Sequence, residues 1–221
     1  MNIVKSRWLS IKTDYDISEI FSTISKNKYY NEIGFINIIY SDAIIETTFV
    51  EKIKLTQYIV DPFGNESEQV IETYNHIELK FIGNKLIEIT SPPRSIKSLV
   101  KYITEIFNHR LYISSLKINI EDVINRVKIK FNNIILKRAK ASGVRVSENG
   151  VANIEVKSTF DAIAEIKAVS KHSQYKLDKV AGSIFHQGDK FDFEINNIGL
   201  ISYSEDYFDF ILNVFLKDTQ I

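Results

Sequence analysis

The 221-residue sequence predicts an α+β fold of two similar halves, 1–110 and 111–221. Three observations carry this expectation. Each half opens with an alternating strand pattern followed by helical spacing. Short turn-linked apolar runs in each half read as hairpins, which makes the sheets antiparallel. Each half closes on a hairpin, a serine and an amphipathic helix, about half a chain apart. Each half is therefore strand, helix, antiparallel strands, helix, with its helices on one face of its sheet.

The elements follow in order. "RWLSIKTD" alternates as a strand. "DYDISEIFSTISKN" spaces Ile17, Ile20, Phe21 and Ile24 as a helix capped by Asp14 or Asp16. "IGFINIIY" is a buried strand. Residues 44–60 form a long strand with Ile45, Phe49, Ile53, Leu55 and Ile59 on one face. "DPFGNESE" is a turn, with Phe63 at its tip either a partner anchor or, the plainer expectation, folded back onto its own domain. In "HIELKFIGNKLIEIT" a hairpin register sets Phe81 opposite Ile87, Leu79 opposite Ile89 and Lys80 opposite Glu88. Ser91 caps the next helix, with Pro92 at its first position, and Ile96, Leu99, Val100, Ile103 and Phe107 form its buried stripe.

In the second half "YISSLKINI" is a strand. Residues 120–142 read as one helix: Val123, Ile124, Val127, Phe131, Ile134 and Ile135 share one arc, and Arg126, Lys130, Asn133, Lys137 and Lys140 another. Asn119 is its cap and Gly143 its stop. "VRVSENGVANIEVK" is a hairpin with a three-residue loop, Val144 opposite Ile154 and Gly150 left-handed. "STFDAIAEIKAV" is a short capped helix. "KFDFEINNIGLISY" turns at Asn196-Asn197, pairing Ile195 with Ile198 and Phe193 with Leu200. Ser204 caps a last helix that buries Phe208, Ile211, Leu212 and Phe215. This element order resembles the half-repeat of the TATA-binding-protein saddle, and also helix-grip folds.

Charge is unevenly placed. The chain has 28 basic and 28 acidic residues. Yet Arg94–Lys140 holds eleven basic and three acidic residues, a net +8, while the stretch from Asp189 onward carries −5. Isoleucine is abundant, as AT-rich codons favour, so arginine is the more informative cation. The first function expected is therefore a non-catalytic binding protein. It would engage DNA, RNA or another polyanion through a basic helical face of Arg94, Lys97, Lys101, Arg126, Lys130, Lys137, Arg138 and Lys140. The bland alternative is a solvated helix end, or a cation set answering the acidic C-terminal region. The second expected function is an assembly subunit, a homodimer or a protein-partner binder.

The third is enzymatic. "IEVK" followed by "ST" resembles the strand of PD-(D/E)xK nucleases, which implies Glu155 and Lys157 as metal and water ligands. The upstream acid of that family is missing: the corresponding stretch reads Val144, Arg145, Val146. An ordinary strand face is the plainer reading.

No cysteine is present, which excludes disulfides, cysteine–zinc sites and thiol catalysis and suits a reducing cytoplasm. No metal or cofactor is expected. His76, His109, His172 and His186 lack metal-ligand spacing. Asp192 and Glu194 share an outward strand face, most simply a wet one. There is no phosphate-binding glycine loop or nucleophile elbow. The N-terminus lacks a signal-peptide core, and no apolar run nears the roughly 20 residues of a membrane helix, so no membrane is expected.

Overall fold

The computed structural model describes residues 3–131, 133–170, 174–186 and 188–216. It is a mixed α+β fold, mostly antiparallel strands with a few helices. It divides into two compact units. The first is Ile11–Ile113, and the second joins the first ten residues to those from Ser114 onward.

In the first unit the strands β2 (Ile33–Ser41), β3 (Ile44–Val60), β4 (Glu66–Ile82) and β5 (Leu86–Thr90) lie in that order. The expected β4–β5 register is present: Phe81 faces Ile87, Leu79 faces Ile89 and Lys80 faces Glu88. Helix α1 (Ile17–Lys26) starts at Asp16, whose carboxylate accepts from the Glu19 amide at 2.8 Å while Glu19 accepts from the Asp16 amide at 2.9 Å. Its Ile20 and Ile24 are buried. Helix α2 (Lys97–Ile106) buries Leu99 and Ile103, and its Tyr102 ring stands 5.7 Å from Phe35 and 5.6 Å from Phe49. Each such core side chain contributes about 1.5–3 kcal/mol by leaving water.

Helix α2 begins later than the sequence predicts. Ser91 is left-handed (φ 46°) and caps nothing; the cap position is Ile96, without a side-chain bond. Pro93 explains this, since a proline disfavours helical geometry at the residue before it, here Pro92.

Strands β3 and β4 pair without a break from Ile44–Ile82 to Val60–Glu66. Only the end of the pair at the start of β3 and the finish of β4 buries side chains, among them Ile45, Phe49, Ile77, Leu79 and Phe81. Lys54–Val60 and Pro62–Tyr74 are exposed throughout, so the hairpin continues outward as a two-stranded arm. The outer half of β4 is an element the sequence reading missed.

The second unit orders its strands β1-β11-β10-β9-β7-β8. These are β1 (Ile3–Thr13, its last three residues belonging to the first unit), β7 (Ile134–Arg145), β8 (Val151–Lys157), β9 (Lys176–His186), β10 (Asp189–Asn196) and β11 (Leu200–Ser204). The short β6 (Leu111–Ser115) pairs with β1. Helix α3 (Ile120–Lys130) is capped by Asn119, as expected, and buries Val123, Ile124 and Val127. Helix α4 (Ala162–Val169) is capped by Asp161. Residues 205–215 close the unit, ending in a wide π turn.

The single helix over 120–142 is not what forms. Helix α3 stops at Lys130, Phe131 is extended (φ −129°, ψ 122°), and β7 follows. Two causes act together. The β-branched pair Ile134-Ile135 favours a strand. Strand β7 is also bulged between Leu136 and Arg138 and again before Val144, so it buries Leu136, Ala139, Ala141 and Val144. Steps of three, two and three mimic helical spacing. Phe131 is buried as expected; Ile134 is only half-buried.

Three smaller corrections concern turns and a cap. In the β7–β8 hairpin Val144 pairs with Ala152, not Ile154, and the left-handed glycine is Gly143 (φ 72°) in the bulge, not Gly150. In the β10–β11 hairpin Ile195 pairs with Ile201. There the Asn196 side chain accepts from the Ile198 and Leu200 amides at 3.0 and 2.8 Å, and Gly199 adopts φ 80°, so the loop is longer than two asparagines. The Ser204 hydroxyl is buried without a hydrogen bond and caps nothing. Among the described residues no helix is long and apolar enough to cross a membrane.

Candidate binding surface

The eight predicted cations do not form one helical face. Arg94 precedes α2, and Lys97 and Lys101 lie on it, exposed, in the first unit. Arg126 and Lys130 are on α3, and Lys137, Arg138 and Lys140 on β7, in the second.

Several of them are engaged inside the fold. Arg126 donates from Nε to the Val214 carbonyl at 3.1 Å and from Nη2 to the Phe215 carbonyl at 3.2 Å. It thereby serves carbonyls at a helix end that lack partners within the helix. Lys137 Nζ is 3.1 Å from Asp192 Oδ1, and Arg138 Nη2 is 2.7 Å from Glu194 Oε2. Lys179 and Lys190 reach the other oxygens of Glu194 and Asp192, each at 2.7 Å. Strand β9 lies between these partners. Its Ala181 stands in register with both Arg138 and Glu194, and its Ser183 with Asp192. The small side chains leave long ones free to cross above them. Ser183 also donates to Asp192.

Burial by itself would raise the Asp192 pKa; hydrogen bonds from Lys190, Ser183 and Lys137 overcome it and hold the carboxyl at about 2. Asp161 is treated similarly. Burial pushes it up, and Lys128 at 2.8 Å with the Ala164 and Ile163 amides brings it below the usual range. Lys101 pairs weakly along its helix with Glu105 at 3.8 Å. Among the described residues Arg94, Lys97, Lys130 and Lys140 have no ion pair.

Glu155 lies 3.8 Å from the Arg138 guanidinium, and across the ladder Glu155 faces Lys140 while Lys157 faces Arg138. Cations thus surround the nuclease-like pair where a metal site needs a second carboxylate. Among the described residues no three His, Cys, Asp or Glu side chains gather as metal ligands. His76 and His109 are exposed, and His186 is exposed with its ring edge-on to Phe131 at 5.2 Å. His172 lies outside the described residues. A groove of about 960 Å³ beside the start of α3 mixes Lys117 and Lys176 with Glu121 and Asp122, so it has no dominant sign.

The arm is a different surface. Phe63 at its tip is 90% exposed and does not fold back as the sequence reading expects. The loop holding it is well tied. Asp61 Oδ1 accepts from the Phe63 and Asn65 amides at 2.8 and 2.9 Å, and Oδ2 from the Asn65 side chain at 2.7 Å. Gly64 supplies the left-handed residue (φ 85°). Below the tip Tyr58 is 72% exposed, Val60 61% and Leu55 52%, with Ile59, Val70, Ile71 and Tyr74 also open to solvent. At the base, Lys52 pairs with Glu72 at 2.7 Å and Lys54 with Glu32 at 2.9 Å. The sequence signal for this surface was the β-rich run "VIETY" beyond the turn, which lies opposite "KIKLT" but alternates only weakly.

No protein-family model matches the chain, and no curated protein matches it.

Proposed function

We propose that this chain is a non-catalytic binding protein that works by protein–protein contact, with the β3–β4 arm as its contact element. One observation carries the reading: the arm holds its apolar residues in water on a pre-tied hairpin. Solvated apolar surface of that extent marks an interaction site in a folded protein. A rigid tip lowers the entropy cost of binding. The ion pairs of Lys137 and Arg138 with Asp192 and Glu194, and the use of Arg126 as a carbonyl donor, weigh against spending those three cations on phosphates.

A second reading keeps the polyanion. Arg94, Lys97, Lys130 and Lys140 are exposed cations without ion pairs among the described residues, and DNA or RNA is the partner they suit.

We also infer a shared plan of the two halves that supports a duplication. The order β1, α1, β2-β3-β4-β5, α2 parallels β6, α3, β7-β9-β10-β11 and the closing helix. Strand β8 and α4 are then an insertion between β7 and β9.

The test is a shortened arm. Replacing Leu55–Ile71 by Asn-Gly leaves Lys54 and Glu72 in register around a two-residue turn. Host proteins captured by the intact chain should be lost from the shortened one. Retained capture would refute the arm. Tight DNA or RNA binding at about 50 mM salt, with a log–log salt slope reduced by about 1 in each of Lys130→Ala and Lys140→Ala, would replace it with the polyanion reading.

A further inference from the structure

The arm's two faces differ in chemistry. On one, Lys52, Lys54, Thr56, Tyr58 and Val60 stand opposite Tyr74, Glu72, Val70, Glu68 and Glu66, so apolar residues are interleaved with charges. On the other, β3 places Ile53, Leu55, Gln57 and Ile59 opposite Thr73, Ile71, Gln69 and Ser67. None of these eight side chains is charged; the nearest charge on the same face is Glu51, below Ile53. It continues the face that holds Ile45 and Phe49 fully buried lower in the same strand. In the arm that face is bare.

Resting on the arm as contact element, we infer that its partner is a second copy of this chain, with the uncharged faces of two arms packed antiparallel about a two-fold axis. A charged partner surface would bury unpaired charge against this face. An identical face would not. The rung Gln57–Gln69 sits mid-face, and a glutamine amide is both donor and acceptor, so identical amides satisfy each other across a two-fold. With that rung on the axis, Ile59 of one arm lies over Leu55 of the other. The size also fits. Two such faces bury on the order of 1,000 Å² in total, the lower edge of a specific interface, which sets a reversible dimer rather than a permanent one. A two-stranded ribbon alone in water is marginal, and this packing gives each ribbon a second layer.

The absence of cysteine makes the test clean. Gln57→Cys carries the only thiol in the chain, on the uncharged face. A thiol–thiol reagent spanning about 10 Å, the spacing of stacked sheets, should link it into covalent dimers. Thr56→Cys, one residue away and facing oppositely, should escape covalent linking under the same treatment. Sedimentation equilibrium of the wild-type chain should give a concentration-dependent dimer. Leu55→Asp and Ile71→Asp should each raise its dissociation constant tenfold or more. A wild-type chain still monomeric at about 100 µM overturns the inference, as does equal cross-linking of both cysteine variants. A dimer indifferent to Leu55→Asp and Ile71→Asp also overturns it. If the chain is monomeric yet the shortened arm still loses its captured host proteins, only this inference falls. If shortening the arm changes neither association nor capture, the arm falls as the contact element and this inference falls with it.

Discussion

The β7–β9–β10 face and the β3–β4 arm are both antiparallel, both solvent-facing, and they resolve their side chains in opposite ways. On the first, the sequence's excess of cations meets its excess of acids: Lys137 meets Asp192, and Arg138 meets Glu194. Those two cations are thereby engaged within the fold. On the second, the apolar residues meet nothing. The difference teaches that a charge run in sequence is a poor guide to a binding surface until its intramolecular partners are known.

Variants can break or sharpen this contrast. The largest effect is expected on β9, the strand beneath the ion pairs. A Cβ on Gly182 would lie 2.5 Å from the Ile135 carbonyl oxygen and 3.2 Å from the Phe193 ring. Gly182→Ala should therefore cost about 3 kcal/mol, read from urea unfolding. Arg126→Ala comes next. It strips the donor from two carbonyls and should cost about 1–3 kcal/mol; a pure phosphate contact would leave stability unchanged.

The Arg138–Glu194 pair is partly exposed, so a double-mutant cycle should give a coupling of about 0.5–1 kcal/mol. A smaller change concerns acid. Asp192 titrates at about 2 when folded, below the usual carboxylate value of about 3.9. Its contribution is present above the higher value and lost as pH falls through the lower one. Asp192→Asn should flatten the stability profile between about pH 4 and pH 2. The smallest effect is on the arm. Thr56→Ala should stay within about 0.5 kcal/mol of wild type, because nothing packs over it.

Much of the fold was legible in the sequence, and the misses have physical sources. The β4–β5 register was readable because one alignment alone keeps Phe81, Leu79, Ile87 and Ile89 on one face. The caps at Asp16 and Asn119 were readable because their bonds are local. Strand β7 was not, since its bulges at Lys137 and Gly143 break the period-2 pattern. Strand β9 went unassigned because its Gly182, Ala181 and Ser183 look like a loop, while their smallness serves the strands on either side. The pairing of the basic run and the reach of the arm were illegible for a related reason. Pairing across β9 between residues more than 50 positions apart leaves no trace in local spacing, and the arm's outer strand alternates too weakly to announce itself without its mate.

The pairing of β1 with β11 has a consequence for biosynthesis. Ile3–Arg7 align with Leu200–Ser204, and the Ser6 hydroxyl reaches the Tyr203 hydroxyl 197 positions later. During synthesis the chain grows from its amino end, so β1 can meet β6 by mid-chain but its rungs with β11 must wait for Leu200–Ser204. Ile11–Ile113 closes its contacts long before that. The β1–β11 rungs therefore close a loop of nearly 200 residues, an entropic cost that no local hairpin of the fold carries.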